Sequence, residues 1–96
     1  MPSVKNSRNS ETAIQSLEDL GQRIREQRKA SGLRIDDAAS LCNVSVDLLS
    51  RLENGRSGVS SERLLRVLDG LGLAMLVLDK TKATRLAAAA SDSTRT

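Results

Sequence analysis

The chain has 96 residues, room for one domain, with 15 Lys/Arg against 12 Asp/Glu. It contains no Phe, Tyr, Trp or His, so its core must be Leu, Ile, Val, Ala and Met, and imidazole general-base chemistry and His-ligated metal sites are excluded. The single cysteine makes no internal disulfide, and no stretch approaches the ~18 apolar residues of a membrane span or shows a signal-peptide apolar run.

The net charge of +3 is unevenly placed. Residues 17–79 hold nine Lys/Arg and ten Asp/Glu, near −1, while residues 1–16 and 80–96 supply +1 and +3. The high pI therefore belongs to the flanks. Any phosphate-facing patch must come from local clustering, for which Arg34, Arg51 and Arg56 are the candidates.

Residues 1–15 are polar and Ser/Asn-rich and are expected to be a mobile tail. A helix is predicted from about Ser16 to Ala30, with apolar positions at Leu17, Leu20, Ile24 and around Ala30, and Ser16 with Asp19 resembling a capping box. Ser31-Gly32 ends it. Two short helices are then predicted, roughly 35–42 and 46–54, separated by a tight turn. Asp36 and Asp37 suit the N-terminus of the first, and Ala38, Ala39 and Cys42 give it a small-residue face that another helix can cross closely. Cys42 is read as filling a small core position. Asn43 tolerates the left-handed backbone at a helix end, and Ser45 is placed to cap the second helix. Leu48, Leu49 and Leu52 form its buried stripe and Gly55 stops it. This is the pattern of a helix-turn-helix, whose second helix enters the DNA major groove.

After the loop Arg56–Ser60, a helix capped by Ser60 or Ser61 carries Leu64, Leu65, Val67, Leu68 and Leu71, weakened at its end by Gly70 and Gly72. Leu73–Leu78 is then continuously apolar and suits a buried strand. A lone strand in a helical domain needs a partner for its backbone, and the same strand of a second copy supplies one across a two-fold axis. Leu73, Met75, Leu76, Val77 and Leu78 are thus expected to dimerise the chain. Residues 80–96 are expected to be a flexible tail, with at most a transient helix over Arg85–Ala90.

The segment Leu17–Leu78 resembles the Xre/Cro-type repressor family, most closely its HipB-type antitoxins. The resemblance rests on Leu20-Gly-Gln-Arg-Ile-Arg25 through Arg28, Gly32-Leu33, Ala39, Val44-Ser45, Leu52-Glu-Asn-Gly55, and Leu64–Leu68 with the Leu71-Gly-Leu73 terminus. It implies a mainly α, lambda-repressor-like helix-turn-helix bundle of four to five helices over residues 16–79, with one C-terminal β-strand pairing across a homodimer. It also implies binding to a palindromic operator in double-stranded DNA and autorepression. In the antitoxin branch it further implies neutralisation of a HipA-like serine/threonine kinase toxin. Such a protein would be cytoplasmic, in a bacterium, and nucleoid-associated when on DNA.

Carried onto this sequence, the resemblance makes Arg28 and Glu53 a structural salt bridge. It points Val46, Asp47, Ser50 and Arg51 at base edges and gives Ser45 a cap and a phosphate contact. Asn54, Arg56 and Ser57 fall in the loop that grips the sugar-phosphate backbone, and Arg34 stands at the start of the helix-turn-helix, where a Thr or Ser cap is usual. Departures are visible. Relatives often have Gln where this chain has Ile35, and Gln or Arg where it has Val46 and Asp47. Valine can touch a thymine methyl and Asp can accept from cytosine N4, but neither makes a bidentate base pair contact. Arg51 is therefore expected to carry most direct readout, with DNA shape contributing the rest. Leu41 falls where relatives tend to place a charge, and a partner contact there is one reading. No nucleophile–base pair, metal cluster or phosphate loop is visible, so no enzyme activity, metal or cofactor is expected. A stand-alone Xre-type regulator and a protein-interaction module with little DNA affinity are the alternatives.

Overall fold

The computed structural model describes residues 13–95. Five helices occupy them: α1 Leu17–Ala30, α2 Ile35–Cys42, α3 Val46–Glu53, α4 Ser61–Gly70 and α5 Lys80–Arg95. Residues Gln15–Met75 form one compact unit that holds α1 to α4, while α5 belongs to a second.

The first four helices start and stop where short-range chemistry dictates. Ser16, Ser45 and Ser60 each accept a hydrogen bond from a backbone N–H of the first turn they precede, at 3.0, 3.0 and 3.3 Å. Asp19 answers in α1, but its carboxylate takes the N–H of Gln15 rather than that of the cap itself (3.1 Å). Arg34 precedes α2 without a side-chain cap, and the negative charge of Asp36 and Asp37 in the first turn compensates. All four helices end in the same device, a backbone N–H reaching five residues back: Leu33 to Arg28, Val44 to Ala39, Arg56 to Arg51 and Leu73 to Leu68. Three of these closing residues, Leu33, Val44 and Leu73, turn back onto the core. The fourth is the exposed Arg56.

Ile24, Leu49 and Val67 are fully buried at the centre, with Ala38, Ala39, Cys42, Leu52, Leu68 and Leu71 around them. Burying side chains of this size stabilises the unit by about 1.5–3 kcal/mol each. Small residues let the helices close in. At Gly21 a Cβ would fall 2.6 Å from the Glu53 carbonyl oxygen, so α1 meets the end of α3 backbone to backbone. At Gly70 it would fall 2.7 Å from Cys42 Sγ, so α4 rests on the small face of α2. Gly70, expected only to weaken its helix, is thus a packing site. The apolar stripes are narrower than their spacing predicts: Leu17 is 46% exposed and Leu65 53%.

One expectation needs correction. The strand predicted over Leu73–Leu78 is absent: Leu73 closes α4, and the residues from Ala74 to Asp79 carry no regular secondary structure. A strand exists only where a second backbone completes its ladder, and no strand lies among the described residues of this single chain. Within residues 80–96, expected to be a flexible tail with at most a transient helix over Arg85–Ala90, α5 runs from Lys80 to Arg95. Its start is explained by Asp79, which accepts from the Lys82 N–H at 2.9 Å and so caps a stretch rich in alanine. The first twelve residues of the expected N-terminal tail lie outside the described residues; Ala13 to Gln15 precede α1 without regular structure.

Candidate nucleic-acid interface

α3 has one buried side and one open side. Leu49 and Leu52 are sunk in the core and Leu48 is half-buried, which fixes the helix on the unit. Val46 and Asp47 are exposed, and Ser50 and Arg51 are half-buried. Ser45 spends its oxygen as the cap acceptor for Leu48 N–H, which leaves the hydroxyl hydrogen free to donate. Asn54 donates its side-chain amide to the Ser50 carbonyl at 2.8 Å, securing the end of the helix.

The three arginines singled out from sequence are placed differently. Arg34 is 80% exposed and pairs with Asp36 of the helix it precedes at 3.3 Å. Arg51 Nη1 lies 3.6 Å from the Asp47 carboxylate one turn earlier, and its Nη2 donates to the Gly58 carbonyl at 3.4 Å. Arg56, with Ser57, is exposed in the loop that leaves α3. The left-handed Gly55 (φ +72°) makes this exit possible, and a Cβ there would meet the Glu18 backbone at 2.9 Å. The closing position of α3 thus holds a cation where α1, α2 and α4 hold an apolar residue.

Behind this face, Arg28 and Glu53 form a two-point pair: Nε to Oε2 at 2.6 Å and Nη2 to Oε1 at 3.0 Å. Arg28 Nη1 also donates to the Leu33 carbonyl at 3.0 Å. Their side chains are only 11% and 5% exposed. The bonded Glu53 carboxylate raises the Arg28 guanidinium above its usual pKa, with burial pulling the other way. One pair therefore ties α1, the turn into α2 and the end of α3 together. Cys42 is buried, donates weakly to the Val67 carbonyl at 3.6 Å, and has its pKa raised by burial. That is the setting of a packing residue, with no activation of the thiol.

Two features of this face were missed from sequence. The Asp47–Arg51 pair has the i,i+4 spacing that signals such contacts, and Glu62–Arg66 repeats it at 3.4 Å on α4. Arg66 also reaches the Asn43 carbonyl in the turn before α3, at 3.5 Å. The role of Gly58 left no signal, because a loop glycine does not announce where its carbonyl points. Leu41 is 59% exposed on α2. Leu73 is half-buried against the core, whereas Met75, Leu76, Val77 and Leu78 are exposed, Val77 at 85%. Among the described residues no helix is long and apolar enough to cross a membrane.

Residues 19–78 match the helix-turn-helix domain family. The HTH-type transcriptional regulator DdrOP3 of Deinococcus deserti is 41% identical over 54 residues, which are 56% of this chain and 42% of that protein. The chain therefore spans less than half the length of that curated relative. The solved clp gene regulator ClgR from Corynebacterium glutamicum is 34% identical with a TM-score of 0.55, over 76% of this chain and 87% of that one. A chain of the HipA–HipB–O2–O3 complex superposes with a TM-score of 0.66 over 72% of this chain and 97% of its own length. Its identity is 20%, so that likeness is one of fold. The chain belongs to the helix-turn-helix family of DNA-binding transcription regulators, Xre-like in type and HipB-like in fold.

Proposed function

We propose that the chain is a sequence-specific transcription repressor that binds a palindromic operator as a homodimer, with α3 of each copy in the major groove. The observation that carries this is α3 itself, capped by Ser45 and anchored by Leu49 and Leu52, with Val46, Asp47, Ser50 and Arg51 on its open side. Arg51 does most of the base reading, Val46 is suited to a thymine methyl, and DNA shape adds the remainder. Arg34, Ser45, Asn54, Arg56 and Ser57 contact the sugar-phosphate backbone and fix register. The exposed Met75–Leu78 segment, with Leu73 at its root, becomes a strand when a second copy lies antiparallel to it. Such a repressor works in the bacterial cytoplasm, on the nucleoid when bound.

Its narrower role is that of an antitoxin which represses its own operon and neutralises a HipA-like kinase. The fold likeness to a chain of the HipA–HipB complex, along 97% of that chain, supports this. A stand-alone regulator is the second reading, favoured by the higher identity to DdrOP3 and ClgR. A module that binds only protein is the third, favoured by the charge near −1 of residues 17–79.

The test is titration of labelled DNA from immediately upstream of the gene against scrambled DNA at two salt concentrations. A preference of ~10³ or more with steep salt dependence establishes the repressor. Weak binding that is equal for both fragments favours the interaction module. Co-purification of an adjacent-gene kinase with the protein separates antitoxin from stand-alone regulator.

A further inference from the structure

An exposed carboxylate on a recognition helix repels phosphate, yet Asp47 occupies the first turn of α3. Its charge is directed along the helix, 3.6 Å from Nη1 of Arg51. The other terminal nitrogen of the same guanidinium is held at 3.4 Å by the carbonyl of Gly58, a residue whose φ of +89° is one that L side chains rarely adopt. Arg51 is thus gripped from two sides, from one turn back on α3 and from the loop that follows it. A guanidinium has five N–H donors; these contacts engage at most two, and bidentate reading of guanine O6 and N7 needs two more.

On the reading helix, the neighbouring carboxylate also biases what Arg51 binds best. A phosphate clamp is poorly served by an anion beside it, whereas the O6/N7 edge of guanine is a neutral pair of acceptors. We infer that Asp47 is a positioning residue: with the Gly58 carbonyl it holds Arg51 in the orientation that reads a guanine, and Asp47 itself touches no base. This rests on α3 being the recognition helix. It replaces the direct cytosine contact that residue type alone allows for Asp47.

The experiment enriches duplexes from a randomised DNA pool with the full chain, as wild type, Asp47→Ala, Arg51→Ala and the double variant, and titrates the enriched duplexes. The wild type is expected to prefer guanine at one position of each half-site, and Arg51→Ala to erase that preference. Asp47→Ala should weaken the preference at that same position by roughly two- to fivefold, the scale of coupling between contacting residues. Its affinity for scrambled DNA should stay level or rise, because a negative charge has gone. In the double variant, removing Asp47 should alter no base preference beyond the loss caused by Arg51→Ala. Asp47→Asn, which keeps the shape and drops the charge, serves if the alanine variant loses helicity. An intact guanine preference in Asp47→Ala, or a change at a different base pair, would overturn the positioning role alone. A wild type that enriches no sequence would overturn the regulator reading, and this role with it.

Discussion

The Arg28–Glu53 pair shows how much a single side chain can carry in a core without aromatics. Both groups are nearly out of water, and each satisfies the other at two points. Glu53→Ala leaves Arg28 buried and uncompensated, and should cost on the order of 3 kcal/mol, or more than about 10 °C in Tm. Melting followed by circular dichroism checks this, and replacing both partners by apolar residues should recover much of the loss. Cys42 makes a gentler prediction. Burial raises its thiol pKa, so the folded chain holds the proton to higher pH than the unfolded chain does. Its contribution to stability is therefore full below the ordinary thiol value and is lost as pH rises through the raised one. A thiol reagent should label it no faster than the protein opens; rapid labelling of the native protein would contradict this. The roles of the pair and of Cys42 differ in how legible they are. A small residue at the right spacing identifies Cys42 as core, whereas nothing in the local pattern around Arg28 and Glu53 says that they meet, and only the resemblance supplies the pair.

At the scale of elements, the helices are written in their ends. Serine caps on three of them, the acidic first turn of α2 and positive-φ stops sit at fixed offsets from the apolar stripes, so α1 to α4 are legible to within about a residue of their limits. Ser45→Ala removes the cap of α3 and should cost about 1 kcal/mol, again read from the melting curve. The same logic, applied to Asp79, finds the start of α5. An apolar run ending in a charge reads equally as a strand, and that pattern hides the cap. The stripes themselves over-predict burial: Leu17 and Leu65 have the right spacing but stay about half exposed. Periodicity names a face and cannot say how wide its partner is. The close approach at Gly21 is invisible for the same reason, since it depends on the carbonyls of Leu52 and Glu53, about thirty residues away in sequence.

For the whole molecule, the question is how a segment with a charge near −1, residues 17–79, would hold a polyanion in the proposed complex. The proposed function divides the work among several groups. Asp47 neutralises part of Arg51 and aims it, Arg34 is exposed but shares its charge with Asp36, Arg56 is exposed in the loop, and the basic residues of the flanks add attraction. In the proposed homodimer two copies double every contact, which would make dimerisation part of DNA affinity. Val77→Asp puts a charge in the most exposed residue of the Met75–Leu78 segment, and should leave the protein monomeric by light scattering, with operator binding falling alongside. A dimer that survives this change would move the two-fold interface elsewhere. Sequence identifies the apolar segment but not its state: the expected strand would need a second backbone, and residues 74–79 of this chain have no regular secondary structure.

In the proposed complex α3 reads the bases while the loop after it grips the backbone. The most direct test is the salt-dependent affinity of wild type, Arg51→Ala and Arg56→Ala for labelled upstream DNA and for a scrambled duplex. Arg51→Ala should lose preference for the upstream fragment, by about 1–3 kcal/mol of discrimination per half-site, and keep its binding to scrambled DNA. Arg56→Ala should weaken both duplexes alike and lower the salt slope by about one unit for each phosphate that it no longer neutralises. Equal losses from the two variants on both duplexes would contradict the division between reading helix and gripping loop.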